Sequence, residues 1–343
     1  MRQVAPPAAA LAAAAVLLAA AADPTVPGSV PVASIRVRAF DFAGGRTAPV
    51  KLAYRTLGAP HRGSDGQVDN AVVLLHGTGR SGADFLGPQA AMLFGPGAPL
   101  DLRSTYVVIP DAIGMGGSTK PSDGLGVNFP HYDYADIVGG VRATLASLKV
   151  TRVRAVLGVS MGAMVGWTWA EAFPSEIGTL VAMGAWPTAV TGRNLLWRLA
   201  ARDALLASPL PGGAGARAAA AITMVGNVPP ALLAKAAPDA ATAQALLDAR
   251  AAAAGEPVDL AFALDAVRTY APQTKLGQVA AKVVELNFAD DVLYPPADAP
   301  PLPAGFTRIT VPASTATSGH ATLGSPAVWL PFVAPALTAA LAR

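Results

Sequence analysis

Strand-like and helix-like segments alternate along most of this 343-residue chain. Near its start, SIRVRAFDF and VKLAYRTLG alternate apolar and polar positions, which predicts half-buried antiparallel strands. Five later segments are short continuous apolar runs of the kind found in buried parallel strands: NAVVLLHG, TYVVIPD, VRAVLGVS, TLVAMG and KVVELNF. Between two of them, Ile137, Val141, Leu145 and Leu148 recur at helical spacing. This order predicts an α/β fold whose mixed, mostly parallel central sheet is flanked by helices.

A long segment rich in Ala, Leu and Pro, residues 191–274, interrupts this alternation. Helices joined by Pro and Gly turns explain its composition best. Open α/β sheets bind ligands at the carboxyl ends of their strands, so we interpret the segment as a helical lid over that edge. The alternative is a second helical domain without a role at the site. The core then comprises residues 23–190 and 275–343.

The first 22 residues have the features of a secretion signal. Arg2 precedes an apolar run from Ala8 to Ala22, which is too short to span a bilayer stably. We predict cleavage after Ala22 and a periplasmic or secreted protein; an Ala-rich leader or a misplaced start codon is the alternative. The chain has no cysteine, which excludes disulfides and thiol catalysis.

Composition and charge narrow the classes of partner. Basic residues exceed acidic ones by 25 − 22 = 3, and no basic cluster is interleaved with aromatics, which argues against nucleic acid. No pair of His or carboxylate residues has the spacing of metal ligands on one helix, so we predict no metal site. Gly77-x-Gly79-x-x-Gly82 resembles a dinucleotide fingerprint, but it follows the third strand and lacks the acidic residue that should accompany it. We therefore expect no cofactor and a small-molecule substrate; no oligomeric state is predicted.

The segment GVSMG, residues 158–162, matches the pattern G-x-S-x-G. This pattern also arises by chance in a Gly-rich chain, but here a strand precedes it and a helical segment follows, which is the context it needs. The turn is so tight that its flanking positions have no room for a Cβ, and the serine is pushed out of the fold. We predict that Ser160 is a nucleophile; a plain strand-to-helix turn is the alternative.

A nucleophilic serine needs a general base, and in this architecture the base follows it in the chain, after an Asp or Glu. His61, His76 and His131 precede Ser160. Only His320, in the loop STATSGHATLG, satisfies the order, so we predict it as the general base.

The third residue should orient the imidazole from a loop at the carboxyl end of a strand. NFADDVLYPP offers Asp290 and Asp291 in that place. We prefer Asp291 because an Asp followed four positions later by Pro is common on this loop, and Asp290 remains the alternative.

The oxygen of an attacked carbonyl needs preorganised N–H donors. We expect them at Met161, which begins the helix after the elbow, and at Thr78 in the loop after VVLLHG. His76 in the same loop is interpreted as structural, with a catalytic role as the alternative.

Several of these segments resemble the homoserine O-acetyltransferase branch of the α/β-hydrolase superfamily: GVSMGAMVGWTWAEAFP, FPHYDYADIVGGVRATL, DAIGMGGSTKPS, and NFADDVLYPP with GHATLG. The resemblance covers most of the chain from about residue 32. It implies an α/β-hydrolase fold with a helical lid insertion, a Ser-Asp-His triad and a covalent acyl-serine intermediate. By position the triad falls on Ser160, Asp291 and His320, and the register of the family favours Asp291.

Departures from the family concern the substrate. The acetyltransferases usually have GGSMGG at the elbow, whereas this chain has Val159 and Ala163. Their lid carries Ala-Arg with a tyrosine seven residues later; Ala216-Arg217 matches, but the tyrosine position is Met224. Arg217 is a candidate for binding a substrate carboxylate, and a solvated lid arginine is the alternative.

These observations predict an exported serine acyl-ester hydrolase that acts through an acyl-enzyme. The alternative is an acyltransferase that moves an acyl group from an acyl-CoA thioester to an amino-acid hydroxyl. A binding protein on the same scaffold, without catalysis, is a third hypothesis.

Overall fold

A computed structural model describes residues 30–342 and contains one eight-stranded sheet. Its strands are β1 (Ala33–Asp41), β2 (Thr47–Leu57), β3 (Ala71–Leu75), β4 (Tyr106–Pro110), β5 (Val153–Val159), β6 (Ile177–Met183), β7 (Lys282–Phe288) and β8 (Thr307–Val311). They lie in the order β1-β2-β4-β3-β5-β6-β7-β8. β1 pairs with β2 and β2 with β4 in antiparallel fashion, and the remaining pairs are parallel. The predicted mixed sheet with a parallel centre is confirmed.

Helices cover both faces of this sheet. They are α1 (Ala90–Phe94), α2 (Tyr134–Ser147), α3 (Met161–Ala172), α4 (Gly192–Ala207), α5 (Ala214–Asn227), α6 (Pro230–Ala236), α7 (Ala240–Ala252), α8 (Pro257–Asp265) and α9 (Pro326–Leu341). Buried side chains of α2 and α3 belong to one apolar cluster, and those of α1 and α9 belong to another. The sheet therefore separates two cores, as in other layered α/β folds.

β3 illustrates why continuous apolar runs form the centre of the sheet. All five of its residues are buried. Ala71, Val73 and Leu75 pack in the core on the α2 and α3 side, while Val72 and Leu74 pack in the core on the other side. Successive side chains of a strand point to opposite faces, so a strand covered on both faces needs apolar residues at every position.

Five helices, α4 to α8, lie between β6 and β7 and form what we call the helical insertion. It contacts loops at the carboxyl ends of the strands. The Asp259 carboxylate of α8 accepts hydrogen bonds from the Ser122 N–H at 2.8 Å and from the Ser122 hydroxyl at 2.7 Å. A Cβ on Gly79, in the loop after β3, would lie 2.9 Å from Leu260 Cδ1 of α8. The insertion therefore packs directly on the edge of the sheet where open α/β folds bind ligands.

The predicted signal peptide, residues 1–22, and its cleavage point after Ala22 lie outside the described residues. Within residues 30–342, no helix has both the length and the hydropathy required to cross a membrane.

Candidate active site

Ser160 lies in a sharp turn between the end of β5 and the start of α3. Its φ of 54° and ψ of −116° are rare for a residue with a side chain and store about 1–3 kcal/mol of strain. A Cβ on Gly158 would lie 2.3 Å from Gly162 O, and one on Gly162 would lie 2.0 Å from Leu75 O. Backbone packing therefore requires glycine at both flanking positions, which is the physical basis of the sequence pattern.

Neighbouring strands hold this turn in place. The Ser160 N–H donates to Met183 O, at the end of β6, at 2.8 Å. In the first turn of α3, the N–H groups of Ala163 and Met164 donate to Ser160 O. The Ser160 side chain is left partly exposed while Met161 behind it is buried. The turn thus presents a hydroxyl at the carboxyl edge of the sheet.

The loop after β8 brings His320 to this hydroxyl. His320 Nε2 lies 2.8 Å from Ser160 Oγ, and His320 Nδ1 lies 2.8 Å from Asp291 Oδ2. The carboxylate is fully buried and the imidazole is 15% exposed. A carboxylate at Nδ1 favours the tautomer that carries its proton there, which leaves the Nε2 lone pair directed at the serine. The three side chains predicted from the sequence are in hydrogen-bond contact, and their catalytic roles stay a prediction.

The two adjacent carboxylates, Asp290 and Asp291, have different partners. Besides His320, Asp291 accepts hydrogen bonds from the Leu293 N–H at 2.8 Å and the Tyr294 N–H at 3.4 Å through Oδ1. Asp290 Oδ2 instead accepts from the Gly319 N–H at 2.9 Å. Asp291 therefore orients the imidazole, while Asp290 anchors the backbone of the loop that carries it.

Met161 and Thr78, the predicted donors to the oxyanion, belong to two backbone segments that adjoin Ser160. Met161 is the first residue of α3, and among the described residues neither its N–H nor that of Thr78 donates to a backbone carbonyl. The loop after β3 passes close by, since a Cβ on Gly77 would lie 3.7 Å from Ser160 Cβ. Both N–H groups are therefore free of backbone acceptors in the described part of the chain, and their role at an oxyanion stays a prediction.

His76 has a structural environment. It is 2% exposed, its Nδ1 lies 2.9 Å from Gly77 O, and its Nε2 lies 3.0 Å from the Ala112 N–H. A neutral ring with its proton on Nδ1 satisfies both contacts. Burial lowers the pKa of His76, because charging the imidazole in an apolar core costs solvation energy. This histidine connects the loop after β3 with the loop after β4.

Arg217, the predicted carboxylate ligand, has a partner within the helical insertion. Its guanidinium forms an ion pair with Asp248 of α7, and both side chains are partly exposed. The structure brings Arg217 to a carboxylate of its own chain and to none of the three hydrogen-bonded side chains. This placement favours the alternative of a solvated insertion arginine.

Two residues near the site were not predicted from the sequence. The ring of Tyr294 lies 5.8 Å from the ring of His320, centre to centre, and Arg198 is a buried cation on α4. A signal for Arg198 was present: Arg198, Ala201 and Leu205 follow helical spacing and are all buried. A charged residue on the apolar stripe of a helix indicates a site of specific polar contacts.

The glycines that resemble a dinucleotide fingerprint have structural roles. A Cβ on Gly82 would lie 2.7 Å from the Ile109 side chain of β4, and the Gly82 N–H donates to Asp111 Oδ1 at 2.8 Å. Gly79 has φ of 67°, which favours glycine. Close packing accounts for this spacing without a ligand. Within residues 30–342, no group of three or more His, Asp or Glu side chains could hold a metal ion.

Known proteins share this architecture. A family model of the alpha/beta hydrolase fold matches residues 70–209. In sequence, the homoserine O-acetyltransferase of Solidesulfovibrio magneticus is 32% identical over 183 residues, which cover 49% of this chain and 45% of that protein. The chain matches about half of the length of its curated relatives.

Solved structures extend the likeness to nearly the whole chain. The homoserine O-acetyltransferase from Bacillus anthracis has a TM-score of 0.75 at 16% identity, covering 92% of this chain and 98% of that one. The acetylester hydrolase from Corynebacterium glutamicum has a TM-score of 0.74 at 17% identity, covering 91% of this chain and 96% of that one. At such identities the likeness shows the fold. The chain therefore has the α/β-hydrolase fold, and its predicted resemblance to the homoserine O-acetyltransferase branch is confirmed.

Proposed function

We propose that this chain is a serine acyl-ester hydrolase whose nucleophile is Ser160. The observation that carries the proposal is the continuous hydrogen-bonded path from Ser160 Oγ through the His320 ring to Asp291. A serine, a histidine and a buried carboxylate in this arrangement recur in acyl-transfer enzymes of unrelated folds. The fold, with esterases and acyltransferases among its structural relatives, supports an enzyme.

In the first half of the reaction, Ser160 Oγ attacks the carbonyl carbon of the ester while His320 Nε2 takes the hydroxyl proton. The imidazolium that forms is stabilised by the Asp291 carboxylate at Nδ1. Negative charge on the carbonyl oxygen is met by the N–H groups of Met161 and Thr78. Collapse of the tetrahedral intermediate breaks the bond to the alcohol oxygen, which receives the proton from Nε2, and leaves an acyl-serine.

In the second half, water replaces the alcohol. His320 Nε2 takes a proton from the water as its oxygen attacks the acyl carbon, and then returns that proton to Ser160 Oγ as the carboxylic acid leaves. The partial exposure of Ser160 and His320 gives water access to the acyl-enzyme. Hydrolysis needs no acceptor other than this solvent.

An acyltransferase is the second candidate, and the sequence relatives named homoserine O-acetyltransferase favour it. In that reaction an amino-acid hydroxyl would replace water in the second half. Two features argue for hydrolysis instead. Met224 replaces the tyrosine expected on the insertion, and its thioether cannot donate a hydrogen bond to an amino-acid substrate. An exported enzyme would also rarely meet acyl-CoA, which is a cytosolic metabolite.

Export is part of the proposal and has its own test. We expect the full-length chain, expressed in a bacterium, to appear outside the cytoplasm with Asp23 as its first residue, as measured by mass spectrometry of the fractionated protein. An intact amino terminus in the cytoplasmic fraction would contradict export and remove one of the two arguments for hydrolysis.

The central experiment separates the three hypotheses. A fluorophosphonate probe should label Ser160 in the wild-type protein and leave Ser160→Ala unlabelled; no labelling of the wild type would favour a binding protein. Product partitioning then distinguishes the two reactions. Protein supplied with a simple acetyl ester, acetyl-CoA and millimolar homoserine should release acetate from the ester. O-acetylhomoserine as the main product would instead establish the acyltransferase.

A further inference from the structure

Arg198 of α4 is a buried cation without a carboxylate partner. Arg198 is only 2% exposed. Within residues 30–342, no carboxylate oxygen lies within salt-bridge distance of its guanidinium. Its Nε donates to Asn194 Oδ1 at 3.0 Å, while its Nη1 has no hydrogen-bond partner in the described part of the chain. Cζ lies 4.7 Å from the centre of the Trp197 ring. A guanidinium has five donors, so one amide oxygen leaves most of them unused.

Two other arginines of the insertion have carboxylate partners. Arg202, one turn further along α4, contacts the carboxylates of Asp203 and Asp265. Arg217 forms its ion pair with Asp248. Both are also more exposed than Arg198. The chain therefore supplies carboxylates to these partly exposed arginines and none to the buried one, although desolvation penalises a buried charge most.

Tyr294 adds a second donor to the same place. Its hydroxyl is buried and lies close to the Asn194 side chain and the Arg198 guanidinium, but among the described residues no group meets it with full hydrogen-bond geometry. Burial raises the pKa of Tyr294, and the nearby Arg198 guanidinium and Asn194 side chain oppose that rise. The hydroxyl is therefore close to Arg198 and keeps its proton near neutral pH, so that it can donate a hydrogen bond.

These donors adjoin the reacting side chains. The Tyr294 ring lies 5.8 Å from the His320 ring and three residues after Asp291 in the chain. The Asn194 amide reaches Leu293 O at 3.5 Å, which connects α4 to the same loop. A group bound by Arg198 and Tyr294 would therefore lie beside the His320 ring, which in turn contacts Ser160.

We propose that Arg198 and Tyr294 bind a carboxylate of the substrate, so that the ester hydrolysed at Ser160 carries a negative charge. An arginine fork matches the two oxygens of a carboxylate, and the tyrosine hydroxyl supplies a further donor. The bound anion offsets the charge that the fold leaves unpaired. This inference rests on the proposed function for the chemistry at Ser160, but the anion site itself does not require turnover.

Two pairs of esters locate the charge in the substrate. On the acyl side, mono-4-nitrophenyl glutarate is compared with 4-nitrophenyl pentanoate. On the alcohol side, 4-acetoxybutyrate is compared with butyl acetate. In each pair the chain length is kept and a terminal methyl becomes a carboxylate. We expect kcat/KM of the wild type to be about tenfold or more higher for the charged member of one pair, from hydrogen bonds to a charged group.

Variants then identify the residues that recognise the charge. Arg198→Met removes the cation but keeps the stem, and should reduce the ratio of charged to neutral kcat/KM to near one. Tyr294→Phe keeps the ring against His320 and should reduce the ratio by a smaller factor. Arg202→Met, on the same helix, is the matched control and should keep the wild-type ratio. Circular dichroism melts show whether each variant folds. If Arg198→Met does not fold, the wild-type ratio and the ratio in Tyr294→Phe still test the proposal.

A binding measurement separates failure of this inference from failure of the proposed function. Calorimetric titration of Ser160→Ala with glutarate and with 4-hydroxybutyrate requires no catalysis. Binding that disappears in Ser160→Ala/Arg198→Met supports the anion site even if no ester is hydrolysed. Hydrolysis without charge preference in either pair, together with no carboxylate binding to Ser160→Ala, would overturn the anion site and leave the hydrolase proposal standing.

Discussion

The sheet core and the helical insertion differ in how tightly they are packed. Every residue of β3 and β4 is buried, and the elbow glycines leave no space for a single added carbon. In the insertion, α6 buries no residue and α7 buries Ala251. Leu196, Leu210 and Val225 of the insertion region are exposed by 66–68%. The core thus determines atomic positions, while much of the insertion tolerates change.

This difference suggests a division of labour between the two regions. Ser160, His320 and Asp291 are held by backbone contacts and hydrogen bonds that the core supplies. The insertion approaches these residues through α4 and α8, and α4 carries Arg198. We therefore expect substitutions in the core to change the rate of the chemistry, and substitutions on α4 to change which substrate is accepted.

The largest expected effect tests the core. Ser160→Ala and His320→Ala should each lower kcat by a factor on the order of 10⁴ to 10⁶, because removing either residue disables the same proton transfer. The double variant should be little slower than either single one. Steady-state kinetics on a chromogenic ester measures all three. Losses that add in free energy would show that the two residues act independently and would contradict a shared mechanism.

The adjacent carboxylates provide the next test. In Asp291→Asn, the amide oxygen can still accept from the Leu293 N–H, so the amide NH₂ faces His320 Nδ1. The ring must then carry its proton on Nε2 and cannot accept one from Ser160; kcat should fall by about 10⁴. Asp290→Asn keeps an oxygen acceptor for the Gly319 N–H and should cost about tenfold or less. Similar small effects for both variants would exclude Asp291 as the orienting residue.

The dependence of stability on pH tests the core at His76. The pKa of His76 is lowered from its ordinary value of 6.5 in the folded state. The unfolded chain therefore binds a proton more readily, and stability present above about pH 6.5 is lost as the pH falls toward the folded pKa. As the pH falls from 8 to 5, the melting temperature should decrease less in His76→Gln than in the wild type. An equal decrease in both proteins would show that His76 does not contribute to this pH dependence.

Local patterns in the sequence predicted the fold and the reacting side chains to different extents. Buried strands and the elbow at Ser160 have local signatures, because burial on both faces and backbone contact at Gly158 and Gly162 restrict residue type position by position. The order of histidines in the chain selected His320. The choice between Asp290 and Asp291 remained open on the residues alone, since adjacent carboxylates in a loop differ only in direction.

The insertion was less predictable for a physical reason. Its helices are Ala-rich and partly exposed, so few positions constrain residue type. Arg217 was singled out through a resemblance, whereas the contact that decides its environment, with Asp248 on another helix, depends on how α5 and α7 pack. Arg198 went unrecognised because one charged residue within an amphipathic helix is common, and its lack of a carboxylate partner is a property of the folded chain.

The smallest expected effect tests the insertion at this ion pair. Asp248 is 55% exposed and Arg217 is 31% exposed, so water screens their attraction, and Asp248→Asn should change the free energy of unfolding by less than about 1 kcal/mol. Arg217→Met should likewise have a small effect on stability and change the ratio of charged to neutral kcat/KM by less than about twofold. Denaturant titration and the paired-ester assay measure these quantities. A large loss of charge preference in Arg217→Met, with Arg198→Met close to the wild type, would restore Arg217 as the carboxylate ligand. It would also show that α5, rather than α4, determines which substrate reaches the core.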